Sequence, residues 1–163
     1  MRFFIFSIAF IFIHGCKEPS TPTPDSSISQ SKIISFIEKN LVDLDIANIK
    51  LVVVIPNAGC NGCVGSTQSF VIDKMVEGDL KDIVVIWTDI NDFKRLKLLL
   101  GSHHKILNHA NVIVDKQNEF KNMGFVSFYP EVVLFTHGEI KSRTFLKPEN
   151  SEVYSLMSKH FVY

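Results

Sequence analysis

From Ile33 onward the apolar positions fall at helical spacing. Ile33, Ile34, Ile37, Leu41 and Leu44 recur every three or four residues, the mark of one buried helix face. Ser27 followed by Gln30 has the form of a capping box opening that helix. The period then changes. Lys50 to Pro56 carries an unbroken apolar run, Leu51-Val52-Val53-Val54-Ile55, as a strand covered on both faces does. A helix is expected from near Cys60 to Glu77, stopped by Gly78. Ile83 to Trp87 reads as a second buried strand, and Asp92 to Leu100 as a helix stopped by Gly101. Asn111 to Asp115 is a third strand, followed by a short helix over 118–123 before Gly124. Glu131 to Phe135 and Glu139 to Leu146 flank Thr136-His137-Gly138, a hairpin signal. Pro148 can open a last helix, with Val153, Leu156, Met157, His160 and Phe161 on one face. Strands alternating with helices imply a parallel sheet covered on both faces, with an antiparallel hairpin at one side.

The head of the chain has a different pattern. Arg2 precedes an apolar stretch from Phe3 to Ile13, broken only by Ser7. About 20 residues are needed to cross a bilayer, so this stretch is too short for a permanent span and fits a secretory signal. The junction Ile13-His14-Gly15-Cys16 resembles a bacterial lipoprotein box. That resemblance implies cleavage before Cys16 and lipidation, palmitate included, of Cys16 as the first mature residue. An ordinary signal peptide or an uncleaved anchor, with Cys16 a bystander, is the other reading. Lys17 to Ser27 is polar and carries Pro19, Pro22 and Pro24, so it reads as a semi-extended tether. The expected organisation is a signal over 1–15, a lipidated cysteine and tether over 16–27, and one domain over 28–163.

Composition adds two constraints. Apolar residues make up 46% of the chain, with 14 Phe, enough for a packed core. Net charge is zero and there is no basic run, which argues against nucleic acid as a partner and against a polybasic membrane patch.

Candidate chemistry sits in Gly59-Cys60-Asn61-Gly62-Cys63, directly after the first strand. Once Cys16 is assigned to the export signal, Cys60 and Cys63 remain as a matched pair. Two thiols three positions apart at a helix start can close a small disulfide and open it again. A helix N-terminus carries unpaired amides and partial positive charge, which favours a thiolate on Cys60.

Three segments together resemble the thioredoxin-like superfamily, and within it the membrane-tethered, periplasmic-type redoxin lipoproteins. They are the strand–loop–Cys60-x-x-Cys63–helix, the stretch Asn111 to Glu119, and the run Met123-Gly124-Phe125-Val126-Ser127-Phe128-Tyr129-Pro130 leading into Glu131 to Phe135. The resemblance implies an α/β thioredoxin-like three-layer sandwich: a central mixed sheet with helices on both faces. It implies a thiol–disulfide oxidoreductase acting on protein disulfides outside the cytoplasm. Cys60 would attack, Cys63 would resolve the mixed disulfide, and Tyr129 with a cis Pro130 would dock the substrate. Expected partners are protein thiols and disulfides, a redox partner protein, and a bacterial membrane on its extracytoplasmic face, reached through the lipid on Cys16. No cofactor and no metal is expected. The alternative is a non-enzymatic lipoprotein of the same fold, its cysteines a structural disulfide or a Cu or Zn clip.

The chain departs from thioredoxins at three places. Gly59 stands where an aromatic residue usually precedes the first cysteine, Lys50 to Pro56 carries no acid, and Asn61-Gly62 between the cysteines lacks proline, its Gly loosening the first turn. Asp89 is the nearest carboxyl that could handle protons, although a turn role suits it better. The Thr-Pro surroundings of a peroxidatic cysteine are missing. His103, His104 and His109 read as solvated loop residues. Copper-delivering relatives pair their cysteines with a distant histidine, but His137 should lie about 15–20 Å away, at the wrong end of its strand.

Overall fold

A computed structural model describes residues 26–159 apart from 79 and 151. Cys16, the expected signal over 1–15 and most of the expected tether over 16–27 lie outside the described residues. The described segment contains helices α1 (Ser26–Asn40), α2 (Asn61–Glu77), α3 (Phe93–Leu100), α4 (Glu119–Asn122) and α5 (Glu152–Ser158). Its strands are β1 (Leu51–Pro56), β2 (Ile83–Thr88), β3 (Val112–Val114), β4 (Glu131–Thr136) and β5 (Glu139–Phe145). They form one sheet in the order β3-β2-β1-β4-β5. β1, β2 and β3 run parallel, and β4 and β5 pair antiparallel.

Every residue of β1 and β2 is buried. Their alternating side chains feed two cores, one on each face of the sheet. Val53, Ile55, Val85 and Trp87 meet Val64 and Val71 of α2, Leu96 of α3 and Met157 of α5. Val52, Val54, Val84 and Ile86 meet Ile33, Phe36 and Ile37 of α1 and Phe120 of α4. Phe36, Phe120 and Phe125 stack in series on that second face, with ring centroids 5.0 and 5.3 Å apart. Two covered faces explain why β1 and β2, Thr88 apart, are apolar rather than alternating. The strand order, the parallel crossovers through α2 and α3 and the terminal hairpin define a thioredoxin-like α/β fold, as expected.

The ends of several elements differ from expectation. α1 begins at Ser26, so Ser27 lies inside the helix and does not cap it. The 101–108 stretch, expected as loop, is 3-10 helix, following Gly101 at φ 53°. α5 starts at Glu152 rather than at Pro148. Asn150 explains the delay: its side chain bonds the Phe145 carbonyl, 3.1 Å, and its own carbonyl accepts from Val153. Val153 and Met157 are buried as expected, whereas the side chain of Leu156, and His160 and Phe161, lie outside the described residues.

Candidate functional site

The site is built where β1 ends. Six buried residues carry the chain straight to Asn57, whose amide bonds the Thr88 carbonyl at 2.8 Å. Gly59 then turns the backbone with φ 136°. A Cβ at this position would collide with the Phe128 carbonyl group, whose carbon would lie only 3.0 Å away. This is the physical reason an aromatic residue is missing before Cys60. The space is filled by the backbone of the 125–130 loop, and Cys60 donates its amide to the Phe128 carbonyl at 2.9 Å.

Cys60 is the N-cap of α2, a 17-residue helix. Its carbonyl takes the first helical bond from Val64 at 2.8 Å, and its Sγ accepts from the Cys63 amide at 3.3 Å. Cys60 and Cys63 are joined by a disulfide, with Cα atoms 5.3 Å apart. Cys63 is buried at 6% exposure, while Cys60 is only half-buried. Solvent therefore reaches Cys60 first. One turn on, buried Thr67 donates to the Cys63 carbonyl at 2.8 Å and shares a hydrogen bond with the Tyr154 hydroxyl at 3.1 Å, which ties α2 to α5 beneath the pair.

The expected docking loop is arranged differently. No cis peptide bond occurs among the described residues, so Tyr129–Pro130 is trans. The chain makes its turn before the proline. Ser127 Oγ accepts from the Tyr129 amide at 3.0 Å and donates to the Tyr129 carbonyl at 2.6 Å. Pro130 then enters β4 extended, its carbonyl accepting from Leu146 at 2.8 Å. The Tyr129 backbone, expected to be open for a peptide, is thus satisfied within its own loop. What reaches the motif is the Phe128 carbonyl, and the Phe128 side chain is left 61% exposed. Sequence reasoning passed over Ser127 and Phe128. A Ser two residues before a loop amide is a recognisable turn former, so Ser127 had a signal. Phe128 had none, because a long-range contact gives it its place.

The remaining candidates take structural roles. Asp89 adopts φ 56° at the end of β2, is nearly buried and pairs with Lys121. That is the turn role. Asp115 is the more deeply held carboxylate. It accepts from Thr88 Oγ1 (2.8 Å) and from the amides of Glu119 (2.8 Å) and Phe120 (2.9 Å), so it fixes the start of α4. Nδ1 of His104 bonds the Gly101 carbonyl, Nδ1 of His109 accepts from the Asn111 amide, and His103 is exposed. His137 sits in the β4–β5 turn, beside Ala47, Lys50 and Asp82 at the opposite end of the sheet. Among the described residues no group of three or more His, Cys, Asp or Glu could hold a metal ion.

Two hollows flank the disulfide. One of about 490 Å³ lies between the starts of α2 and α3, bordered by Asn57, Gly59, Asn61, Asp92 and Arg95. The other, about 320 Å³, has both cysteines in its wall, facing Lys147 and Tyr154. Neither Tyr129 nor Pro130 lines either hollow.

No family model matches the sequence. No curated protein matches it either. Among solved structures, the chain is similar to a candidate thioredoxin from Neisseria meningitidis determined in solution, at 19% identity and a TM-score of 0.43, covering 69% of this chain and 75% of that one. The fold assignment rests on the strand order and connections rather than on that likeness.

Proposed function

We propose that the chain is a thiol–disulfide oxidoreductase that acts on protein disulfides outside the cytoplasm, held to a bacterial membrane by lipid on Cys16. One observation carries the redox reading: a half-exposed Cys60 caps a long helix, bonded to a buried Cys63 three residues on. In the dithiol form the Cys63 amide and the helix N-terminus face Cys60 Sγ. A hydrogen bond to a charged acceptor is worth about 1.5–3 kcal/mol, and the helix end adds about 0.3–1 kcal/mol. Both terms favour the thiolate on Cys60 over that on Cys63. Cys60 then attacks a substrate sulfur and forms a mixed disulfide, releasing one substrate thiolate. Cys63 attacks Cys60 Sγ from the buried side, releases the second and restores the disulfide. The fold keeps the two sulfurs on one helical turn throughout, so the second step is intramolecular and fast.

The envelope location rests on the short apolar stretch from Phe3 to Ile13 and on the Ile13-His14-Gly15-Cys16 junction. Lipid labelling of the wild type and Cys16→Ala tests it: incorporation should disappear in the variant, and unchanged incorporation removes the anchor.

The redox reading is tested by equilibrating the chain in detergent with dithiol–disulfide buffers. A midpoint between about −120 and −270 mV is expected of an exchanger, and one below about −300 mV marks a structural bridge. Cys63→Ser, which stalls the cycle at the mixed disulfide, should then capture the partner proteins covalently.

A further inference from the structure

The two hollows beside the disulfide differ in charge. The larger has Asp92 and Arg95 in its wall together, and neither cysteine faces it. The smaller is walled by Cys60, Cys63, Ser66, Leu146 and Tyr154, with Lys147 as the one charged side chain among its described lining residues. Lys147 comes from the segment between β5 and α5, remote in sequence from the motif. Its side chain is 40% exposed, and its Nζ stands 5.7 Å from the centre of the Tyr129 ring. The carboxylate near it is Glu149, 4.0 Å away, with a side chain 66% exposed. A pair that long and that wet is largely screened, so Glu149 leaves most of the lysine's charge uncancelled. The Tyr154 hydroxyl is engaged by Thr67.

The geometry points to this hollow as the subsite for the residues flanking a substrate cysteine, with Lys147 selecting protein disulfides that carry an acidic residue beside the sulfur. The inference rests on the redox reading above. The Tyr129 amide and carbonyl both bond Ser127 Oγ, while Lys147 brings charge to the hollow that the cysteines share. The reaction balances as a two-electron exchange. The Cys60 thiolate displaces one substrate thiolate, leaving the other substrate half bonded to Cys60 with its flanking residues in the hollow. Cys63 gives up its proton to solvent and displaces that half as the second thiolate. The substrate disulfide is reduced to two thiols and the protein dithiol is oxidised. Lys147 lines the same hollow as the two sulfurs, and its selectivity comes from the flanking carboxylate.

The test uses the reduced full chain in detergent and two disulfide-linked peptide dimers, identical except for Glu or Lys beside the cysteine. Each exchange rate is divided by the rate of the same peptide with free dithiothreitol, which removes the peptides' own difference in reactivity. The wild type should favour the Glu peptide by about three- to tenfold at low salt, the range expected of one partly solvated charge pair. Lys147→Gln should bring the ratio near one, Lys147→Glu should invert it, and Lys147→Arg should keep it. Added salt should shrink it in the wild type. Because the readout is a ratio, a smaller folded fraction in a variant cancels out. A ratio unmoved by both Lys147→Gln and Lys147→Glu overturns the subsite and leaves the redox reading standing. Failure of the wild type to exchange with either peptide overturns the redox reading, and the subsite with it.

Discussion

At the hairpin end of the sheet, β4 returns as β5 through two residues, His137 and Gly138, with φ of 51° and 79°. Two consecutive positive φ values make the turn whose twist matches that of the strands it joins. A Cβ added at Gly138 would come no closer than 4.0 Å to anything. The opposite end, where β1, β2 and β3 finish, is closed by loops that hold one another. Cys60 bonds Phe128, Ile90 bonds Asn118 Oδ1 at 2.8 Å, and Asp115 bonds Thr88 and the start of α4. The hairpin end is set by local backbone preference. The disulfide end is set by contacts between segments far apart in sequence, so a change in one loop there should displace the others.

Gly59→Ala against Gly138→Ala is the sharpest way to break this contrast. Backbone overlap plus an unfavourable φ should cost the first about 2–4 kcal/mol. The second should cost only about 1 kcal/mol, the penalty of a left-handed residue in open space. Urea unfolding of both variants reads the difference, and equal losses would mean the two ends are governed alike. Asp115→Ala should come next, at about 2–3 kcal/mol, because it strands a buried hydroxyl and two amides. Glu119 and Phe120 amides should lose hydrogen-exchange protection in that variant while the hairpin amides keep theirs.

A smaller effect is expected within the motif itself. In the reduced protein Cys60 should alkylate at least about tenfold faster than Cys63 at mildly acidic pH, through exposure and the helix end. Mass spectrometry of partly modified protein decides it, and a faster Cys63 would exchange the assigned roles. Smallest of all, His137→Asn should stabilise by a few tenths of a kcal/mol (roughly 0.3), since Asn suits this turn better than His. The redox midpoint should not move. A shifted midpoint would show the two ends to be coupled.

The same contrast governs what could be read from the sequence. β1 and β2 were legible because burial on both faces leaves an unbroken apolar run, and α2 because Cys60 and Gly78 bracket it. The hairpin was legible because its turn is a local matter. The 3-10 stretch after Gly101 was hidden, since its polar residues carry no period. The isomer at Pro130 was misread for a deeper reason. A loop's path is fixed by what it meets, here Ser127 within the turn and Leu146 and Cys60 across space. Asp115 shows the same limit: a strand-ending Asp suggests a turn, and only the fold reveals that it anchors a helix. The pair Cys60 and Cys63 was legible as chemistry, while Lys147 beside it was not, because some 85 residues separate them along the chain (147 against 60 and 63).

The sheet's two margins carry a consequence for life in a crowd. β3 is only three residues long, and β5 exposes Glu139 and Lys141 along a strand whose pairing with β4 slips register between Leu134 and Phe135. Short length, charge and a bulge each spoil a margin as a template for another chain's backbone. Molecules of this protein packed side by side should therefore stay separate rather than zip into a continuous ribbon, even though their cores are rich in β-branched residues.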